Sequence, residues 1–142
     1  MSITLSSVRD QLERQLFDTA NLTWPADVLD EALRAALADL STSYGTPLTL
    51  QDLDGALLTT FEEHDLACLV AGGAAYCLRF RLTRKFEEAI PSTETPLDLA
   101  QWATDAMAHF QSLLTLVRLR KFQQSLNQPY AGWAWEEGSD FL

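Results

Sequence analysis

Apolar residues recur with helical spacing in four stretches of the chain. Val8, Leu12 and Leu16 repeat every fourth position with Phe17 beside them, and Arg9, Asp10, Glu13 and Arg14 fill the other positions. This predicts an amphipathic helix over about 7–19, with Ser7 and Asp10 as its start signal. Val28, Leu29, Ala32, Leu33, Ala36, Leu37 and Leu40 form the next stripe. It predicts a helix over about 25–42, with Pro25 in the first turn and Asp27 and Asp30 at the positive end of the dipole. Gly45 and Pro47 follow as stop signals. The stretch 45–58, GTPLTLQDLDGALL, is the least helical. Its alternating Leu48 and Leu50, then Leu53, with Pro47 and Gly55, fit a loop or a short strand pair, and both stay open.

A third helix is predicted over about 61–89, opened by a capping-box pattern of Thr60 and Glu63. Its middle, LACLVAGGAAYCL, is apolar on all sides, which predicts a helix enclosed by neighbours. Gly72 and Gly73 cost about 1 kcal/mol each inside a helix. The small residues Ala67, Ala71, Ala74 and Ala75 around them point to close approach of another backbone, or else to a kink. A fourth helix is predicted over about 96–126, with Thr95 as N-cap, Pro96 at the first helical position and Asp98 supporting the cap. Leu99, Trp102, Ala106, Phe110, Leu113, Leu114, Val117 and Phe122 form its stripe.

The third and fourth helices match in length and are joined by the short link Ile90–Thr95, so they are expected to form a long antiparallel hairpin. Charge agrees with that pairing. It would set Arg118, Arg120 and Lys121 near Glu62, Glu63 and Asp65, and Arg79, Arg81, Arg84 and Lys85 near Glu94, Asp98 and Asp105. The two basic runs, RFRLTRK and RLRK, are therefore candidates for intrachain ion pairs first. Contact with an acidic surface of a partner, or with DNA phosphates, are the other readings. The fold class is all-α: a helical bundle over residues 1–126 built on this hairpin.

Residues 127–142, NQPYAGWAWEEGSDFL, differ from the rest. Pro129, Gly132 and Gly138 break a helix, yet Tyr130, Trp133, Trp135 and Phe141 give the segment four of the chain's fourteen aromatic residues. Solvated tails are normally poor in aromatics. The segment reads as an extended C-terminal arm that folds back on its own bundle, docks into a partner or neighbouring subunit, or stays loose. Docking is favoured because tryptophan and tyrosine are typical interface anchors, and WAWEE alternates as an added strand would.

The chain has 142 residues, enough for one domain, and 47% hydrophobic content against 21% charged is ordinary for a globular fold. The net charge is −10, which disfavours broad adhesion to nucleic acid. The longest uncharged apolar run, Leu66–Leu78, has 13 residues, short of the roughly 20 of a membrane span, so no membrane is expected. Cys68 and Cys77 lie nine residues apart. On one helix that is roughly 13–14 Å of rise on opposite faces, too far for a disulfide. Two buried free thiols and no secretory signal at the N-terminus point to synthesis in a reducing cytosol.

No motif for catalysis stands out. HExxH, the Walker A loop, GxGxxG and the ExxH of di-iron bundles are missing. Ser6 and Ser7 lack a GxSxG setting and read as helix-start residues. Asp105 and His109 have the spacing of a metal pair, and Glu62, Glu63, His64 and Asp65 form a polar cluster, but surface ion pairing accounts for both. No catalytic, cofactor or metal residue is assigned, and no enzyme activity is expected.

The segment LTWPADVLDEALRAALADLS over 22–41 resembles the N-terminal part of the head-to-tail adaptor (connector) proteins of tailed double-stranded DNA bacteriophages. These often have a tryptophan, a short acidic start and a leucine- and alanine-rich helix. Length, two long helices and an irregular C-terminal tail agree in outline. The resemblance implies a structural virion protein of the neck, assembled in the bacterial host cytoplasm. It implies a ring of usually twelve subunits under the portal, joining it to the next neck or tail protein and extending the DNA channel. The arm residues Tyr130, Trp133, Trp135, Phe141 and Leu142 would anchor the portal, and Arg79, Arg81, Arg84, Lys85, Arg118, Arg120 and Lys121 would bridge adjacent subunits or pair within one. Twelve copies would carry about −120 formal charges, so DNA would slide through without specific binding. A tail completion or terminator component, and an acidic bundle that inhibits a host protein, are the alternative functions.

Overall fold

A computed structural model describes residues 3–18, 23–88 and 96–126, with the side chains of 3–18, 23–84 and 98–124. It contains four α-helices, α1 (Leu5–Gln15), α2 (Ala26–Tyr44), α3 (Leu66–Glu88) and α4 (Pro96–Leu126), and a 3₁₀ turn over Glu63–Asp65. The protein is an all-α helical bundle. Of the connections, 19–22 and 89–95 lie outside the described residues, as do the N-cap Thr95 and the whole arm 127–142.

α1 begins two residues before the predicted start. Thr4, not Ser7, is the N-cap: the Ser7 amide donates to Thr4 Oγ1 at 3.3 Å and the Thr4 amide donates to Ser7 Oγ at 3.1 Å. The two orphan amides are thus satisfied reciprocally, and Asp10 has no part in it. α1 also ends early, in a Schellman turn. The Phe17 amide donates to the Arg14 carbonyl at 3.2 Å and the Asp18 amide to the Glu13 carbonyl at 2.9 Å. Phe17 occupies the left-handed position of that turn at φ 57° and is 89% exposed. A β-carbon is strained there and the ring buries nothing. Phe17→Gly is expected to raise stability by up to about 1 kcal/mol, read as a higher melting temperature by circular dichroism.

Asp18 then organises the start of α2. Its carboxylate accepts from the Thr23 and Trp24 amides at 3.1 and 2.9 Å. Trp24 is 5% exposed, and its indole N–H donates to the Cys77 carbonyl of α3 at 2.9 Å. Pro25 stands at the N-cap of α2 instead of the first turn, its carbonyl accepting from Val28 and Leu29. Gly45 ends the helix at φ 80°, in the left-handed conformation glycine adopts without strain. Arg9 joins α1 to α2 through a two-bond pair with Asp30 at 2.7 and 2.6 Å.

The undecided stretch 45–58 is a loop closed on itself. Leu50 and Leu53 are buried, the Asp52 amide donates to the Ala56 carbonyl at 2.9 Å, and Arg34 of α2 clasps Asp54 at 2.8–3.0 Å. Its one β-type pairing among the described residues is an isolated parallel bridge, Thr4 with Gln51, so the alternating leucines anchor a loop and build no named strand. This loop takes up the predicted cap of the third helix. The Thr60 hydroxyl accepts from the Thr49 amide at 2.8 Å and the Thr60 amide donates to the Thr49 carbonyl at 3.1 Å. α3 consequently starts at Leu66, after the 3₁₀ turn, and not at Phe61.

α3 is the central helix. Every residue from Cys68 to Ala75 is buried, although Ala67, expected among the packing residues, is exposed. Glu63–Arg84 is long and apolar enough to cross a membrane by length and composition, with a mean hydropathy of 1.3 over a window that tolerates charged flanks. The uncharged run within it, Leu66–Leu78, is shorter because charged residues flank it on both sides. Over Cys68–Ala75 this helix is covered by the other three helices. The Gly72 site lies against the Phe110 ring of α4 and Ala36 of α2, and Gly73 against Leu12 of α1 and Leu33 of α2. The close approach at the glycines is therefore made by side chains, not by another backbone. Asp65 meets Arg120 and Gly72 faces Phe110, which is the register of an antiparallel pair.

α4 covers the predicted span without change. Leu99, Ala103, Phe110, Leu114 and Val117 are buried, but Trp102 and Phe122, expected in the same stripe, are 42% and 56% exposed. Leu116 and Leu119 are also exposed, at 62% and 51%. α4 thus carries apolar side chains on two faces, and only one of them meets the bundle.

Candidate functional site: a closed ion-pair cluster and an open helix face

The strongest polar cluster joins the end of α2, the 3₁₀ turn and the last turns of α4. Asp65 is 2% exposed. A buried carboxylate is costly unless paired, and here two oxygens meet two donors of Arg120, at 3.0 and 2.5 Å. The Tyr44 hydroxyl donates to the same carboxylate and accepts from the Glu62 amide at 3.1 Å. Lys121 Nζ lies 3.4 Å from Glu62 and 4.1 Å from the centre of the Tyr44 ring. His64 Nε2 is 2.8 Å from Glu62.

Burial pushes the Asp65 carboxyl up, but the hydrogen bonds from Arg120 and Tyr44 outweigh it, and the group sits below the usual carboxylate range. Tyr44 is pushed up to about 12 by burial and by its bond to Asp65, so it remains a donor. Glu62, His64 and Asp65 bring one ligand atom each within 4.8 Å of one another. Arg120 and Lys121 already neutralise both carboxylates, so the donor set fits ion pairing better than it fits a cation. Its evident work is to clamp the helix ends.

The seven basic candidates divide. Arg120 and Lys121 pair with Asp65 and Glu62 as the antiparallel charge pattern predicts. Arg118 is exposed and has no ion pair among the described residues. Arg81 lies 5.8 Å over the Trp24 ring. Arg79 and Arg84 are exposed on α3, and the side chain of Lys85 is outside the described set, as is Glu94. The proposed portal anchors Tyr130, Trp133, Trp135, Phe141 and Leu142 also lie outside the described residues.

The other candidate chemistry gains little from the fold. Burial raises the Cys68 thiol to about 11 and the Cys77 thiol to about 12, which keeps both protonated and poor as nucleophiles at neutral pH. The Asp105 carboxylate accepts from Gln101 at 2.9 Å. His109 lies on the wall of a shallow groove of about 520 Å³ between α1 and α4, with Arg14 and Gln11 among the other lining residues and Val70 and Ala71 of α3 behind them.

Sequence reasoning missed two features. One is Tyr44, whose hydroxyl joins Asp65 to the Glu62 amide. The other is the open apolar surface: Leu116, Leu119 and Phe122 on α4, and Leu57 and Leu58 at 86% and 70% exposure on the loop. A helical wheel places Leu119 opposite Phe110 and Val117, so part of this surface could have been read from spacing. Comparison with protein-family models, curated proteins and solved structures finds no match to this chain.

Proposed function

We propose that this protein is a structural adaptor of a phage neck, which assembles as a ring on the portal, continues the DNA channel, and catalyses nothing. The observation that carries the reading is the apolar outer face of α4 on a chain of net charge −10. A protein whose work is assembly needs solvent-exposed apolar surface for partners, and large exposed patches of this kind mark interaction sites. The aromatic arm adds a second set of anchors in its sequence. The net negative charge suits a channel through which DNA passes without adhesion.

The test is a mixing experiment. Full-length protein and a 1–126 truncation are each added to portal rings of the same phage and imaged by electron microscopy. Added density beneath the portal with the full-length chain alone is the expected result, and it assigns the arm its anchoring role. Absence of density with both chains would overturn the portal reading and favour a tail-side component. The truncation is expected to retain the helical circular dichroism of the full chain, since the described core lies within residues 3–126. A large loss of helix would place the arm in the fold itself.

A further inference from the structure

We infer that residues 127–142 of this chain lie back along α4 in the free protein, on an apolar track that ends in the groove between α1 and α4. Leu113, Leu116, Leu119 and Phe122 follow one another at spacings of three. Residues so spaced are neighbours on a helix surface and form one oblique ridge. Leu113 is half-buried in the lining of the groove, and Leu116, Leu119 and Phe122 are 62%, 51% and 56% exposed. The ridge therefore leads out of the groove into solvent. It stops one turn before Leu126, where α4 ends and residues 127–142 begin.

The groove has about 520 Å³ and is lined by Ala67, Val70 and Ala71 of α3 together with Arg14, His109 and Leu113. Ala67 and Ala71 are small and Ala67 is exposed, so α3 leaves room there for a large side chain. The lining holds no acid, and α4 has none after Asp105. Arg14 stands in the groove, and Arg118 stands four positions before Phe122. Neither has an ion pair among the described residues. Both are separate from Arg120 and Lys121, whose charge Asp65 and Glu62 take up.

Residues 127–142 have the matching character and the reach. They hold Tyr130, Trp133 and Trp135, with Glu136, Glu137 and Asp140 and no lysine or arginine. From Leu126 back to Leu113 is about 20 Å along the helix, at roughly 1.5 Å per residue. An extended chain covers about 20 Å in roughly six residues. With 127–129 spent on the reversal, Trp135 comes level with Leu113. In this arrangement the Trp135 ring fills the groove, Tyr130 and Trp133 cover the exposed leucines, and Glu136 and Glu137 meet Arg14. Aromatic rings bury the most apolar area per residue on such ground. The covalent tether favours this segment over a second copy or a foreign protein, because a short flexible link gives a local concentration of millimolar order. The contact does not depend on the adaptor reading; in the free protein it covers the same aromatics that a portal would take.

The experiment is fluorine NMR of the full-length chain with fluorinated tryptophan at its four tryptophan positions, the signals assigned by Trp133→Phe and Trp135→Phe. The Trp133 and Trp135 signals are expected away from the position of free fluorotryptophan, and to be independent of protein concentration. Leu113→Glu, Leu116→Glu and Arg14→Glu are each expected to move them toward the free position. The Trp24 signal, which reports the core, is expected to stay in place. Wild-type Trp133 and Trp135 signals at the free position would overturn the inference, as would signals that ignore all three substitutions. Shifts that appear only as concentration rises would overturn it too, and would give the groove to another copy. If Leu113→Glu unfolds the chain and moves the Trp24 signal, Leu116→Glu and Arg14→Glu decide, since both side chains are exposed. No portal enters this experiment, so this contact and the adaptor reading fall separately.

Discussion

Replacing Gly72 with alanine is expected to destabilise the protein by about 1–2 kcal/mol, although alanine is the better helix former by about 1 kcal/mol. A β-carbon at Gly72 would lie 2.6 Å from two atoms of the Phe110 ring and 2.8 Å from Ala36 Cβ. Phe110 is fully buried, and Ala36 Cβ is fixed to the backbone of α2, so neither can turn aside. α4 or α2 must move instead, and close-packed interiors resist that. Gly73 is the internal control. There a β-carbon meets the ends of Leu33 and Leu12 at 3.0 and 3.1 Å, and leucine methyls can rotate away. Gly73→Ala is therefore expected to be near neutral, whereas Gly73→Leu, which must displace both leucines, costs about 1–3 kcal/mol. Chemical denaturation followed by circular dichroism measures all three. Equal stabilities for Gly72→Ala and the wild type would mean that α3 and α4 pack less tightly than described. The double variant Gly72→Ala with Phe110→Leu is expected to recover part of the loss, because the two positions share one volume.

Removing Asp65 is expected to have an effect of similar or greater size, for an electrostatic reason. Asp65→Ala strands the Arg120 guanidinium and the Tyr44 hydroxyl beside a buried site, and the expected cost is about 2–4 kcal/mol. Asp65→Asn keeps an acceptor for Tyr44 and is expected to cost less. The pH dependence separates charge from shape. The Asp65 carboxyl is held below its ordinary value: its burial is unfavourable, but the bonds from Arg120 and Tyr44 prevail. A depressed acid contributes its full stabilisation above the unfolded value of roughly 3.9, and that contribution disappears as pH falls through the lower folded value. The wild type is therefore expected to lose stability steeply on acidification below about pH 4, with Asp65→Asn following a shallower slope. Identical slopes would show that other carboxylates carry the acid response.

These two sites differ in how far the sequence announces them. Small residues at 71–75 signal a tight contact on α3, but nothing local says that its partner is the Phe110 ring. That pairing joins residues far apart in the chain, and it depends on how α4 is rotated. Arg120 with Asp65 was foreseeable, because opposite charges at matched positions of two antiparallel helices meet whenever the register holds. Tyr44 was not foreseeable, since its hydroxyl reaches the pair only because α2 ends beside the 3₁₀ turn.

Local chemistry suffices where a segment carries its own start and stop. The bounds of α4, the buried stripe of α2 and the left-handed glycine after Tyr44 follow from spacing, proline and glycine, and the fold leaves them unchanged. Long-range contact prevails where local signals compete. Thr60 can cap a helix or bond Thr49, and the loop over 49–60 takes it, which moves the start of α3 to Leu66. Phe17 would not choose a left-handed turn in isolation, yet Asp18 must reach the Thr23 and Trp24 amides, and the Schellman turn delivers it. On α4 the pattern supplies two apolar faces, and periodicity alone cannot say which is buried. Packing against α3 and α2 selects the face of Phe110, Leu114 and Val117, because Gly72 makes room there for the Phe110 ring, and it leaves Leu116, Leu119 and Phe122 in solvent.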